Sequence, residues 1–308
     1  MRISKPKFWQ KRFNIYSILL IPFTIIFLFV TKLKKYFIKE KQFNIPIICV
    51  GNIYIGGTGK TPLAIEIARE ISNKFKPVII KKFYKSHKDE QLLIKKKFKN
   101  LILNSKRSNA IKEAEKRKFN SVILDDGFQD YSIKKDLNIL CFHSKQLIGN
   151  GWVLPSGPLR QEFNIIKKAK IIVINGKKNK KFEKQILKIS KKTKIFYSKY
   201  VPKNLNEFKN KKILAFAGIG NPENFFDTLI YNNLEVKKTI SYPDHYDFTR
   251  SDLHKIIAIS EKDNLEILTT EKDFFRIKDF KLKKIKYLKI DLEILNKKVF
   301  INQIIKNI

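Results

Sequence analysis

Residues 45–71, IPIICVGNIYIGGTGKTPLAIEIAREI, constrain this chain more than any other stretch. An apolar run, a glycine-rich turn and an amphipathic run follow one another in the order strand, loop, helix. In such a turn the backbone N–H groups converge at the positive end of the helix, where phosphate oxygens bind. Lys60 is the residue to neutralise β- and γ-phosphates, and the Thr61 hydroxyl is the one to ligate Mg²⁺. The common spacing Gly-x-x-x-x-Gly-Lys-Thr would put glycine at position 54, where this chain has Tyr54. Gly51 is expected to provide a turn directly after the strand instead, while Gly56, Gly57 and Gly59 permit close backbone approach. The expected nucleotide cradle is Tyr54, Ile55, Gly56, Gly57, Thr58, Gly59, Lys60 and Thr61. A bare glycine turn with a capping threonine is the plainer reading of the loop alone; strand, loop and helix together favour the nucleotide.

A nucleotide site also needs a metal-binding carboxylate, normally at the end of a neighbouring strand. SVILDDGFQD, residues 121–130, supplies Asp125 and Asp126 there. Adjacent acids before a glycine equally describe a solvated turn. With only 28 Asp and Glu against 65 Lys and Arg, an acid pair at that place favours Mg²⁺. Asp89 and Glu90 open a predicted helix, where acids are also ordinary partners of the helix dipole. Asp244 and His245 stand out in SYPDHYDFTRSDL. Residue chemistry alone does not choose among the four histidines, His87, His143, His245 and His254.

Beyond the loop, apolar runs near 77–80, 100–104, 121–126, 137–142, 170–175 and 194–200 alternate with helical patterns. Continuous apolar strands separated by helices predict a parallel sheet covered on both faces. A polar stretch, 202–212, reads as a linker, after which strands are expected near 213–218, 235–241, 265–270 and 285–291. The expected class is α/β, a P-loop NTPase-like parallel sheet with a smaller C-terminal α/β domain. The corresponding ranges are 43–201 for the core and 202–308 for the smaller domain, with 1–42 as an N-terminal membrane anchor and its basic flanks. The hinge between two such domains is a usual place for a substrate cleft.

The formal charge of +37 would ordinarily suggest a polyanionic partner. Only eight of the 65 basic residues are arginine, and the lysines are spread along the whole chain, which argues against nucleic acid. Residues 14–31 carry no charge, close to the lower length for a spanning helix. The flanks 1–13 and 32–42 each carry five Lys or Arg, so charge does not orient the segment but suits anionic headgroups. A helix lying in the interface is the competing reading. Cys49 and Cys141 lack metal spacing and are expected to be buried, reduced thiols.

Several strings together resemble the tetraacyldisaccharide 4′-kinase family of lipid A synthesis: VGNIYIGGTGKTP, DEQLL, ILDDGFQD, GNGWVLPSGPLR, AGIGNPENFF, YPDHYDF and TTEKDFFRI. They lie in family order from residue 50 to 277, and the family's phosphate loop shares the unusual glycine placement. The resemblance implies transfer of the ATP γ-phosphoryl group to the 4′-hydroxyl of a membrane-embedded tetraacyl disaccharide 1-phosphate. It also implies work on the cytoplasmic face of an inner, anionic membrane. Carried over, Lys60 and Thr61 keep their loop roles; Asp125, Asp126 and Glu90 match metal or neighbouring ligands. Asp89 matches the general base and His245 the histidine that pairs with it. This chain departs from the family at Asp130, where histidine is usual, at Lys82, where arginine is usual, and at Gln161 after GPLR. The rival, a membrane-associated ATPase or GTPase without a lipid acceptor, usually carries a lysine where this loop has Ile55.

Overall fold

The computed structural model describes residues 6–84, 88–244 and 246–308, so His87 and His245 lie outside the described residues. The elements run α1 (Ile15–Leu19), α2 (Ile21–Phe37), β1 (Ile47–Gly51), α3 (Lys60–Ile71), β2 (Pro77–Lys82), α4 (Lys88–Lys97), β3 (Leu101–Asn104) and α5 (Arg107–Lys116). Then follow β4 (Ser121–Asp125), β5 (Leu137–His143), β6 (Ile171–Asn175), α6 (Lys180–Ile189) and β7 (Lys194–Pro202). The chain continues with β8 (Lys212–Ala217), α7 (Pro222–Tyr231), β9 (Glu235–Ser241), α8 (Arg250–Lys262) and β10 (Glu266–Thr270). It ends with α9 (Glu271–Ile277), β11 (Ile285–Leu288), β12 (Ile290–Ile294) and α10 (Lys297–Ile305).

Two compact units result, and neither is continuous in sequence. The larger holds 6–83, Phe98–Lys199 and Leu292–Ile308; the smaller holds Tyr84–Lys97 and Tyr200–Asp291. The division therefore differs from a single cut near residue 202: α4 belongs with the smaller unit, and α10 returns to the larger one. In that return Lys297 Nζ reaches Glu70 of α3 at 2.9 Å. Helix α4 instead packs against α9 of the smaller unit.

The larger sheet has the order β12-β7-β6-β5-β1-β4-β2-β3. Pairings from β3 through β7 are parallel. Strands β1, β4 and β6 are buried at every residue, as expected of strands with helices on both faces. β1 lies between β4 and β5, so the loop after it and the acids after β4 emerge side by side at the carboxyl end of the sheet. That is where ligands bind in open parallel sheets. The smaller sheet is β11-β10-β8-β9, also parallel. Its edge strand β9 is largely exposed and carries Lys237 and Lys238, charges that discourage further strand pairing.

The expected N-terminal membrane helix is not formed. Pro22 lacks the amide a helix interior needs, so it takes the first turn of α2, and the uncharged run divides into α1 and α2 at Leu20. Among the described residues no helix is long and apolar enough to cross a membrane. The two helices are also inverted in polarity. Their buried residues are Ser17 and Thr24, whereas Phe23, Ile25, Ile26 and Phe29 are each at least 60 % exposed. Thr24 Oγ1 donates to Ser156 Oγ at 2.8 Å, and Ser17 Oγ accepts from Asn150 Nδ2 at 3.1 Å.

Gly51 is the last residue of β1 and makes no turn of its own. Its missing side chain makes room for DDGFQ: a Cβ there would lie 2.4 Å from Phe128 Cβ and 3.2 Å from the Phe128 amide nitrogen. The two motifs are thus in direct backbone contact. Gly51→Ala is expected to destabilise the protein by about 1–3 kcal/mol through overpacking. Urea unfolding checks this, and an unchanged midpoint would show that the segment moves aside at no cost.

Candidate active site

The loop is built around Asn52, which is fully buried. Its Nδ2 donates to Tyr54 O at 2.6 Å and to Thr58 Oγ1 at 3.0 Å, drawing both ends of the turn together. Gln129 Nε2 donates to Asn52 O at 2.7 Å, tying the loop to DDGFQ. Gly56 and Gly59 have φ of 110° and 92°, left-handed values that disfavour a side chain. Helix α3 then begins at Lys60. A Cβ added at Gly57 would meet nothing within 4 Å, so the loop faces open space there.

Two residues of the expected cradle also tie the loop to its surroundings. Tyr54 is a core side chain, 1 % exposed, whose hydroxyl accepts from Gln10 Nε2. The Ile55 amide donates to Pro158 O at 2.9 Å. These two residues anchor the loop to GNGWVLPSGPLR, and Gly56, Gly57, Thr58, Gly59, Lys60 and Thr61 complete the turn. The same motif receives Thr24 from α2, so it holds the N-terminal helices as well as the loop.

Asp125 joins three elements. Thr61 Oγ1 donates to its Oδ2 at 2.9 Å, and Lys81 Nζ from β2 reaches the same oxygen at 2.6 Å. Asp125 is fully buried, and its Oδ1 has no hydrogen-bond partner among the described residues. That leaves one hard anionic oxygen beside the Thr61 hydroxyl, a donor set that suits Mg²⁺. This ion takes one or two carboxylates and completes its shell with phosphate and water. Among the described residues no three His, Cys, Asp or Glu side chains group as a metal cage.

Asp126 is differently placed, in the left-handed region with φ 58°. Arg160 Nη1 donates to its Oδ1 at 3.1 Å, and Lys60 Nζ lies 3.8 Å from the same oxygen. Burial opposes ionisation, but Lys60, Arg160 and Lys81 together outweigh it and hold this carboxyl below its ordinary range. Two cations therefore converge on Asp126 at the mouth of the loop. Nearby, Arg107 Nη2 donates to Asp126 O and Nη1 to Asp130 Oδ2. Asp130, in the place of the family's histidine, thus pairs with an arginine. Lys82, Arg107, Asp130 and Ser132 border a recess of about 230 Å³.

Asp89, Glu90 and Asp244 belong to the smaller unit and not to the Thr61–Asp125 group. Asp89, 2 % exposed, is no solvated dipole partner: Arg276 Nε and Nη2 donate to its Oδ2 at 2.9 and 2.6 Å. Lys272 Nζ stands 3.0 Å from Glu90 Oε1, 3.7 Å from Asp89 Oδ2 and 3.8 Å from Asp244 Oδ1. The role expected of His245 falls outside the described residues. Asn52, Lys81, Arg160, Lys272 and Arg276 were not singled out by sequence reasoning. Arg160 ends one of the matching strings and Arg276 is the last residue but one of another, the only signal that pointed to them.

A sequence profile described as tetraacyldisaccharide-1-P 4′-kinase matches residues 16–308. A tetraacyldisaccharide 4′-kinase from Pelagibacter ubique is 42 % identical over 313 residues, covering 99 % of this chain and 98 % of that protein. Another from Rickettsia akari is 31 % identical, covering 97 % and 98 %. The Aquifex aeolicus LpxK crystal structure in complex with ATP superposes with a TM-score of 0.72 at 23 % identity. It covers 94 % of this chain and 98 % of that one, and shows that the fold is shared. With a profile matching almost end to end and relatives aligned over nearly their whole length, this chain belongs to the tetraacyldisaccharide-1-P 4′-kinase family.

Proposed function

We propose that this chain performs the family's reaction, ATP-dependent phosphorylation of the 4′-hydroxyl of tetraacyldisaccharide 1-phosphate, with the residues described above in the following roles. The loop amides and Lys60 bind the β- and γ-phosphates of ATP. Arg160, directed like Lys60 at Asp126, adds a second positive charge where the γ-phosphoryl group becomes more anionic. Thr61 and Asp125 hold Mg²⁺, which when bound neutralises phosphate charge. Asp126 and Glu90 are proposed as neighbouring metal or water contacts. The 4′-hydroxyl oxygen forms the new bond to the γ-phosphorus, the bond from that phosphorus to the bridging oxygen breaks, and ADP leaves. Asp89 takes the hydroxyl proton, with His245 as its partner. Placement and electrostatics dominate such transfers.

The observation that carries this reading is Asp125: a fully buried carboxylate bonded to Thr61 at the foot of the glycine loop, its second oxygen without a hydrogen-bond partner among the described residues. An ATPase without a lipid acceptor is not favoured, because the family match extends through the smaller unit, which a nucleotide site does not need.

The acceptor is a lipid, and the exposed apolar side chains of α1 and α2 are the surface proposed to meet it. Exposed apolar patches of this kind mark interaction sites. With Lys32, Lys34 and Lys35 along α2, the pair suits shallow insertion into an anionic interface rather than a crossing. The proposed location is the cytoplasmic face of the inner membrane.

Lys60→Ala is expected to lower phosphorylation of the disaccharide lipid by on the order of 10²–10³-fold. Chromatography of the labelled lipid after incubation with labelled ATP reads this, and full activity in the variant would remove the loop from the mechanism. Asp125→Asn should weaken the Mg²⁺ dependence of nucleotide binding, which titration of an ATP analogue with and without the metal measures. An unaltered metal dependence would dismiss Asp125 as a ligand. Changing Phe23, Ile26 and Phe29 together to serine should abolish sedimentation with anionic vesicles while sparing ATP binding. Retained sedimentation would mean that another surface suffices.

A further inference from the structure

Arg276 is 187 residues from Asp89 in sequence, yet the smaller unit brings them into contact. Four hydrogen bonds fix this guanidinium. Nε and Nη2 donate to Asp89 Oδ2; Nη1 donates to Asp273 Oδ1 at 2.6 Å and to Gly218 O at 2.6 Å. Asp273 is itself held, its Oδ2 accepting from the Gly218 amide at 3.0 Å and from Thr270 Oγ1 at 2.7 Å. The Thr270 hydroxyl in turn accepts from the Asp273 amide, capping α9. Arg276, Asp89 and Asp273 have side chains no more than 9 % exposed. A planar donor fork gripped on both sides has little rotational freedom, and a carboxylate bonded to two of its nitrogens shares that rigidity.

We propose that Arg276 is the positioning residue of the reaction's base. Arg276 binds Asp89 through Oδ2 and so fixes the orientation of the carboxylate that receives the acceptor hydroxyl proton. Asp273, Thr270 and Gly218 hold Arg276 in turn, which makes the loop after β8 and the start of α9 part of the catalytic support. The inference rests on the reading of Asp89 as base. Its rival is a buried ion pair that only stabilises the unit, a common role for such pairs. The two differ in one respect: a positioning residue acts through Asp89, whereas a stabilising pair does not.

The experiment compares wild type, Asp89→Asn, Arg276→Lys, Arg276→Met and each Arg276 variant combined with Asp89→Asn. For each protein kcat, the KM for the disaccharide lipid, the ATP dissociation constant and Tm are measured. Arg276→Met should lower kcat by on the order of 10²-fold, the cost typical of a misplaced reacting group. Arg276→Lys keeps the charge without the fork and should recover part of that loss. KM and ATP affinity should stay unchanged, and neither substitution should lower kcat further once Asp89 is asparagine. Wild-type kcat in both Arg276 variants, with Asp89→Asn still impaired, overturns the inference and leaves the base reading intact. So does an equal loss from Arg276→Met in the presence and absence of Asp89. Unimpaired Asp89→Asn removes the base reading and this inference with it. If Arg276→Met does not fold, Arg276→Lys alone decides by the same comparison.

Discussion

The larger unit is organised around one buried carboxylate. Asp125 ends a strand buried at every residue, where an unpaired charge would be costly to desolvate. Thr61 approaches it from α3 and Lys81 from β2, so the glycine loop, the central strand and its neighbour share a single charge-assisted junction. Such a junction also sets what the site can do. Lys81 neutralises one oxygen, and the other has no hydrogen-bond partner among the described residues. If the loop shifted, Thr61 would leave this carboxylate; if β2 shifted, the carboxylate would lose its counter-ion. The geometry of the phosphate loop and the geometry of the sheet are therefore coupled.

The smaller unit repeats the principle. Asp89 and Asp273 are buried acids held by a shared arginine, and Lys272 stands among Asp89, Glu90 and Asp244. In a chain with a formal charge of +37, acids are scarce, and those that are buried sit at such junctions. The lysine excess has little to do with them. It lies mostly on exposed faces, where ion pairs such as Lys284 with Glu261 contribute little to stability. The extreme charge is a property of the surface, and the chemistry depends on a few shielded groups.

GNGWVLPSGPLR shows how much a recognisable string can leave unsaid. Its presence in the sequence signals the family, but apart from Arg160 what it does is mechanical. Pro158 O accepts the Ile55 amide, the Arg160 amide donates to Ile53 O, Ser156 and Val153 accept from Thr24, and Pro155 O accepts from Trp9. One loop thus fixes the phosphate turn and the N-terminal helices to the same body. That explains why α1 and α2 turn their few polar residues inward and leave Phe23, Ile25, Ile26 and Phe29 outside. Their polar residues bond inward to that loop, while Phe27 and Leu28 of α2 pack against the core of the larger unit.

The sequence alone determined the strand–loop–helix of residues 47–71, the acids after β4 and eleven of the strands close to their places. These depend on local periodicity and on residues adjacent in the chain, and the expected 285–291 strand erred only in running β11 and β12 together. Tertiary structure decided the rest. It sent α4 and α10 to units their sequence positions did not suggest, and it divided the uncharged N-terminal run into two helices at Leu20. It also gave Gly51 a packing role in place of a turn, and it paired Lys81 with Asp125 and Arg276 with Asp89. The last two pairings bring together groups 44 and 187 residues apart. Local hydropathy carries no information about which distant charge will lie opposite a buried one.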